Sequence, residues 1–316
     1  MGRLVVASQL NAAFNGAFAQ ALPDVDILAV PAGPPAELPH AAKVLIAAPF
    51  RKAGGSLPVA PPPGWPFDVK WVQLVSVGID FYPPWLFDGP VVTSARGSSA
   101  VALAEFALAA IFAAAKKLPD IWIDRFEAWA PTPIRLVQGG TLGIVGFGSI
   151  GEALAPRARA LGLNVLAVRR SKTPIEADGV EQLDDLNELF ARSDHVVLAA
   201  PATPETFHLV NRKLLAHAKP GLHLINVARG ALVDDDALLW ALEEGLVGLA
   251  SLDVTHPEPL PFNHPYYTHP KVRLSPHTSV HTPDTRQNLA AQFAQNLGRF
   301  RRGAPLADVV DPARGY

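Results

Sequence analysis

Hydrophobic residues of this chain fall in short runs separated by polar, Pro-rich and Gly-rich breaks, which is typical of strands joined by turns. In the first 95 residues this pattern predicts strands at 4–8, 25–30, 43–48, 71–77 and 91–94. The segment 11–21 has helical periodicity and lies between the first two of them. The amino-terminal zone therefore alternates strands with at least one helix.

The alternation is clearest between residues 96 and 284. Apolar runs predict strands at 142–146, 164–168, 195–199, 222–227, 249–254 and 272–275. Amphipathic segments at 183–192, 211–216 and 234–244 predict helices between them, and a long final helix is predicted from 284 to 302. Strands separated by helices pair in parallel, so this order predicts an α/β fold with a doubly wound parallel sheet.

A glycine-rich turn connects the strand at 142–146 to the helical segment after it. Its glycines are spaced G-x-G-x-x-G, the arrangement that lets a backbone approach a dinucleotide pyrophosphate at a helix N-terminus. The free N–H groups there favour an anion. We expect the pyrophosphate to be bound by Gly146, Gly148, Ser149, Ile150 and Gly151.

The next strand, at 164–168, indicates which dinucleotide this is. An acidic residue at its end would bind the ribose 2′-hydroxyl of NAD. This chain has Arg169, Arg170 and Ser171 there instead. Because guanidinium groups form paired hydrogen bonds with phosphate oxygens, we expect NADP(H) to be preferred, with NAD(H) possible.

Composition narrows the classes of partner. The net charge of −2 gives no reason to expect nucleic acid, and the absence of cysteine excludes thiolate catalysis and disulfides and fits a reducing compartment. The apolar segment 98–115 is short and carries Glu105, so we interpret it as a buried helix, not a membrane span. The first apolar run is interpreted as a strand, not a signal peptide. We therefore expect a cytoplasmic protein without membrane or nucleic-acid partners.

Five further segments, in order, carry a family resemblance. They are 94–105 (SARGSSAVALAE), 201–206 (PATPET), 226–230 (NVARG), 253–260 (DVTHPEPL) and 275–278 (SPHT). With the glycine loop they resemble the D-isomer-specific 2-hydroxyacid dehydrogenases, in particular those similar to glyoxylate and hydroxypyruvate reductases. The resemblance runs over nearly the whole chain and is densest from about residue 91 to residue 290.

The resemblance implies two doubly wound domains. Residues 1–95 with 285–316 would form a flavodoxin-like substrate domain, into which a Rossmann dinucleotide-binding domain, residues 96–284, is inserted. It implies NADPH-dependent reduction of a small 2-oxo acid, with glyoxylate or hydroxypyruvate favoured, to the D-2-hydroxy acid. Alternatives are a sister dehydrogenase for D-lactate or 3-phosphoglycerate, and a non-catalytic NAD(P)-sensing protein.

Three residues within these motifs suit that chemistry. Arg229 follows an apolar strand, and its guanidinium can hold a substrate carboxylate and polarise the carbonyl group. His277 can donate or accept the proton near neutral pH. Glu258 is expected to accept a hydrogen bond from His277, which favours the protonated imidazole.

The resemblance also implies further contacts. Those to the cofactor are expected from Pro201, Thr206, Ala228 and Asp253. Those to the substrate are expected from the backbone of Val77 and Gly78, and, at the variable end, from Phe50 and Arg51. We expect no metal, because prolines and the role of Glu258 argue against a zinc site in the His256–His264 loop. The apolar segments 98–115 and 121–129 predict a homodimer.

Overall fold

The computed structural model describes residues 3–50, 56–171 and 173–315. The chain divides into two compact units, Met1–Ser99 with His281–Tyr316, and Ala100–Val280. Each boundary is four residues from the crossing expected from the sequence, after residue 95 and after residue 284.

The strands and helices follow the alternation of the sequence. The strands are β1 (Leu4–Ser8), β2 (Val25–Ala29), β3 (Ala42–Ala47), β4 (Trp71–Leu74), β5 (Val91–Thr93), β6 (Thr141–Val145), β7 (Asn164–Val168), β8 (Val180–Leu183), β9 (His195–Leu198), β10 (Leu222–Asn226), β11 (Val247–Leu252) and β12 (Val272–Leu274). The helices are α1 (Ala12–Ala21), α2 (Ala100–Lys116), α3 (Ser149–Ala160), α4 (Leu186–Arg192), α5 (Arg212–Leu215), α6 (Asp235–Glu243) and α7 (Pro283–Arg301). Single 3-10 turns lie at Pro84–Phe87, Phe126–Ala128, Gly230–Leu232 and Pro265–Tyr267.

In the unit that holds both chain ends, the described strands form a parallel sheet in the order β2-β1-β3-β4-β5. This is the strand order of flavodoxin-like folds. Helices α1 and α7 pack on one face, where the Phe18 and Phe293 rings lie 5.2 Å apart and Trp71 stacks on Phe293 at 4.7 Å. The indole of Trp71 donates to Thr93 Oγ1 at 2.8 Å, so this buried aromatic side chain has its polar atom satisfied.

In the second unit, the described strands form a parallel sheet in the order β12-β11-β10-β9-β6-β7-β8. The chain first runs outward from β6 to β8, then returns to β9 on the other side of β6. Strand order therefore reverses between β6 and β9, and ligands bind at such a point in open α/β sheets. Separate buried clusters cover the two faces, one with α2 and α3, the other with α4, α5 and α6.

The predicted fold class is confirmed, although some element bounds differ. Strand β8 was not predicted, and the helix expected from residue 183 begins at Leu186, after the N-cap Asp185. Strand β4 ends at Leu74, so 75–77 belong to the following loop. In the described ranges, none of the helices has the length and hydropathy that crossing a membrane requires.

Candidate active site

Three neighbouring parallel strands bring the predicted catalytic motifs to one edge of the sheet. Strands β10, β11 and β12 are adjacent, with Asn226 paired to Leu252 and Leu252 to Leu274. Arg229, Glu258 and His277 follow the carboxyl ends of these strands. Parallel strands end on the same side, so segments far apart in sequence meet there.

The imidazole of His277 and the carboxylate of Glu258 form a hydrogen-bonded pair. His277 Nδ1 lies 2.9 Å from Glu258 Oε2, while Thr255 N donates to Glu258 Oε1 at 3.0 Å. The two side chains are 31% and 33% exposed, so the pair is open to a small reactant. Because Glu258 binds Nδ1, proton exchange with a substrate falls to Nε2.

The electrostatic environment keeps Glu258 ionised. Burial raises the pKa of this carboxyl, but hydrogen bonds from His277 and from Thr255 N, and the nearby positive charges of His277 and Arg229, outweigh it. The net pKa lies below the usual 4.5. Glu258 is therefore a carboxylate at neutral pH and stabilises positive charge on the imidazole.

The turn after β10 carries Arg229. The amide of the buried Asn226 spans this turn: Oδ1 accepts from Ala228 N at 3.0 Å, and Nδ2 donates to Arg229 O at 2.8 Å. Gly230 comes next, packed so closely on the Thr255 backbone that a Cβ atom there would overlap its carbonyl group. Glycine thus allows the Arg229 turn to approach the segment that carries Glu258.

A second buried polar side chain spans the turn after β12. Asp253 is 1% exposed, and its backbone carbonyl accepts from His277 N at 2.8 Å. Its carboxylate accepts from Ser275 Oγ at 2.6 Å, Thr278 N at 3.0 Å, Ser279 N at 3.1 Å and Ser279 Oγ. Both carboxylate oxygens are thus engaged within the protein, and the expected contact of Asp253 with the cofactor stays a prediction.

The glycine loop connects β6 to α3 as the sequence predicts. Gly146 has φ +90°, and a Cβ atom there would lie 2.7 Å from Ala200 N, so glycine is required. Gly148 is the N-cap of α3, and no described side chain caps that helix end. A Cβ atom on Gly148 would meet nothing within 4 Å, while one on Gly151 would lie 2.9 Å from the Phe147 ring.

This loop fits a dinucleotide pyrophosphate. Gly148 leaves open space beside the first turn of α3, where the N–H groups of Ser149, Ile150 and Gly151 lie at the helix start. The loop is also at the point where strand order reverses. The contacts themselves stay a prediction.

Residues expected near the adenosine ribose follow β7, beside β6 in the sheet. Arg169 is half-buried, while Arg170 and Ser171 are exposed. A hydrogen bond from Thr203 lowers the pKa of Glu205, and the charge of Arg170 contributes. Arg170 is therefore near the loop at 201–206. In that loop the Thr206 hydroxyl accepts from Thr203 N at 2.8 Å and donates to Pro201 O at 2.7 Å, which fixes its shape.

The remaining predicted residues have different surroundings. Ala228 is buried in the Arg229 turn. Val77 and Gly78 are half-buried after β4, where Ser76 Oγ donates to Gly78 O at 2.7 Å. Phe50 is buried, its ring 6.0 Å from Tyr82 and 5.7 Å from Trp85, and its assignment to the substrate stays a prediction. Arg51 lies outside the described residues.

Sequence reasoning missed the residues that support the turns: Asn226, Ser275 and Ser279. The sequence could have indicated Asn226, because it is a polar residue at the end of a largely apolar strand, Leu222–Asn226. The two serines flank the His277 turn, but nothing in their spacing indicated that both bind Asp253.

Comparisons with known proteins agree with this arrangement. The family model "D-isomer specific 2-hydroxyacid dehydrogenase, NAD binding domain" matches residues 108–279. The glyoxylate reductase of Thermococcus gammatolerans is 36% identical over 226 residues, 68% of this chain and 67% of that protein. Glyoxylate/hydroxypyruvate reductase A of Serratia proteamaculans is 35% identical over 260 residues, 78% and 82% of the two chains.

A solved structure extends the similarity to the full length. The D-isomer specific 2-hydroxyacid dehydrogenase from Xanthobacter autotrophicus Py2, in complex with NADPH and MES, is 28% identical with a TM-score of 0.80. The alignment covers 100% of both chains.

Fold, motifs and similarity together define the class: the chain belongs to the D-isomer specific 2-hydroxyacid dehydrogenase family. It is an NAD(P)-dependent dehydrogenase that acts on a small-molecule substrate. The predicted family, fold class and enzyme class are confirmed.

Proposed function

We propose that this enzyme uses NADPH to reduce a small 2-oxo acid, glyoxylate or hydroxypyruvate, to the D-2-hydroxy acid. One observation carries the proposal: the His277–Glu258 pair lies at the sheet edge where Arg229 also emerges. A carbonyl reduction beside a carboxylate needs a cation and a proton donor in one place.

Each residue has a defined chemical role in this proposal. When bound, the reduced nicotinamide supplies a hydride to the carbonyl carbon. The Arg229 guanidinium holds the substrate carboxylate and polarises the carbonyl oxygen. His277 Nε2 donates the proton to that oxygen, and Glu258 orients the ring and stabilises its charge.

The preference for NADPH rests on Arg169, Arg170 and Ser171, and the NADPH complex of the relative from Xanthobacter autotrophicus supports it. Arg169→Asp combined with Arg170→Ala should lower kcat/KM with NADPH on the order of 100-fold, because two charge-assisted contacts are lost. kcat/KM with NADH should change by less than about threefold. Equal losses with both cofactors would overturn the preference.

The substrate is tested by steady-state kinetics on glyoxylate, hydroxypyruvate, pyruvate and 3-phosphohydroxypyruvate with NADPH. We expect the highest kcat/KM for one of the first two, named by the relatives that support this proposal. A clear preference for pyruvate or 3-phosphohydroxypyruvate would mean that the proposed substrate is wrong. NADPH binding without turnover of any of the four would favour a sensor.

We further propose a homodimer in the cytoplasm. The segment after α2 exposes large aromatic side chains: Trp122 is 71%, Phe126 86% and Trp129 79% exposed. Exposed large aromatic side chains that lie close together in sequence are typical of an interface. Sedimentation should give the mass of two chains for the wild type, and the mass of one chain for the variant with both Trp122→Ser and Phe126→Ser.

The proposed cytoplasmic location rests on composition: the sequence has no cysteine, which fits a reducing compartment.

A further inference from the structure

We propose that Asp253 is a positioning residue for His277, acting through the turn that presents the imidazole. This inference rests on the proposed proton-transfer role of His277. It is separate from the cofactor contact that the sequence predicts for Asp253, because it concerns the hydrogen bonds that the carboxylate makes within the protein.

The hydrogen bonds of Asp253 lie on both flanks of His277. Ser275 binds the carboxylate from the preceding side, while Thr278 N and both donors of Ser279 bind it from the following side. The His277 N–H itself binds the backbone carbonyl of Asp253 at 2.8 Å. One residue therefore fixes the turn before, at and after the imidazole.

The turn needs this support because His277 has φ +50°, a left-handed conformation that L side chains rarely adopt. Such a residue keeps its conformation only where its surroundings over-determine it. The buried carboxylate provides that constraint, and it holds the ring where Nδ1 meets Glu258 at 2.9 Å.

The Asp253→Asn substitution tests this geometry sharply. An amide replaces one acceptor oxygen with an NH₂ donor, and each carboxylate oxygen now accepts from a backbone N–H, of Thr278 on one and of Ser279 on the other. Whichever way the amide is turned, a donor meets a donor, so the turn must shift. Ser279→Ala is milder, since it removes only a hydroxyl donor.

The experiment measures kcat, KM, the NADPH dissociation constant and the His277 ring resonances by proton NMR, assigned with His277→Gln. We expect Asp253→Asn to lower kcat on the order of 100-fold with NADPH binding changed by less than about threefold. The His277 resonances should shift and broaden without cofactor. Ser279→Ala should lower kcat roughly three- to tenfold.

Matched controls remove equivalent groups elsewhere in the same unit. Asp185→Asn alters a carboxylate that accepts a backbone N–H at the start of α4, and Ser193→Ala removes a buried hydroxyl. Both should leave kcat and the His277 resonances unchanged. If kcat of these two control variants falls as strongly as in the Asp253 and Ser279 variants, the proposal is overturned.

Two other outcomes would also overturn it. One is weaker NADPH binding in Asp253→Asn that accounts for the whole loss of kcat/KM, with Ser279→Ala behaving as wild type. If Asp253→Asn does not fold, Ser275→Ala and Ser279→Ala decide, and unchanged kcat and resonances in both would sink the idea. A wild-type enzyme without turnover defeats the proposed function instead, while the NMR comparison still tests the positioning.

Discussion

Two sets of polar side chains on the same strands of the nucleotide-binding unit behave in opposite ways. At the carboxyl edge, Asn226 and Asp253 hold turns that present Arg229 and His277. Toward the amino ends, His195 on β9 and His223 on β10 bind each other, Nδ1 to Nδ1 at 3.1 Å. His223 Nε2 lies 2.9 Å from Ser251 Oγ on β11.

The partner and the depth of burial determine what each histidine can do. Burial lowers the pKa of His223 to about 3, with a further contribution from His195, and burial also lowers the pKa of His195. Both rings are therefore neutral at physiological pH and serve as hydrogen-bonding core residues. His277 is one third exposed and forms its hydrogen bond with a carboxylate. A histidine in a strand thus says little about chemistry until its neighbours are known.

The largest effect is expected from a substitution at the carboxyl edge. His277→Gln should lower kcat about 10²- to 10⁴-fold, because the proton donor is lost while an amide keeps a similar shape. Steady-state kinetics with NADPH and the best 2-oxo acid measure it. As the matched control, His195→Gln should stay within about twofold of wild-type kcat.

A His195 variant as inactive as the His277 variant would contradict this division between the two sets of histidines. Circular dichroism on both variants separates a lost fold from a lost proton donor.

The next largest effect is expected in the pH dependence of the free energy of unfolding, through the buried pair His195 and His223. The unfolded chain protonates His223 below its usual pKa of 6.5, whereas the folded protein resists protonation down to about 3. The stability from this group is thus complete above pH 6.5 and is lost as pH falls toward 3. The slope is roughly 1.4 kcal/mol per pH unit in that window.

Urea unfolding at pH 7 and pH 4 checks this slope. His223→Gln should show a smaller loss of unfolding free energy between these pH values than wild type. The exposed His217, changed in the same way, should leave the slope as it is. Identical slopes for wild type and His223→Gln would mean that the pair does not resist protonation.

The smallest effect sharpens the comparison at Glu258. Its pKa is lowered in the folded protein, so its stabilisation is present above pH 4.5 and is lost as pH falls through the folded value. Glu258→Gln should cost roughly 1 kcal/mol or less at pH 7, since the pair is partly exposed, and less at pH 3 than at pH 7. Urea unfolding measures it, with the exposed Glu243→Gln as control. A cost of the same size at both pH values would point to packing instead.

Much of the fold could be predicted because it depends on local patterns. Strand β7 has the predicted bounds, and β10 differs by one residue, since apolar runs flanked by turns define buried parallel strands. Strand β8 (VEQL) was missed: it lies at the sheet edge and is only partly buried, so its pattern is weak.

Prediction of the site was uneven for a physical reason. Arg229, Glu258 and His277 could be proposed because each sits in a recognisable motif near a strand end. The support of His277 by Asp253 joins residues 22 to 26 positions apart through a buried carboxylate. Neither residue type nor spacing encodes which donors such a carboxylate will meet after folding.

The Gly230 position has a consequence for how this enzyme can vary. Even one extra methyl group would collide with the Thr255 carbonyl and drive the turn that carries Arg229 away from the segment that carries Glu258. The absence of a Cβ atom at Gly230 therefore sets how closely these two backbone segments can approach. Any other residue at this position would displace one of the two segments, so the sequence can vary here only together with the backbone around Thr255.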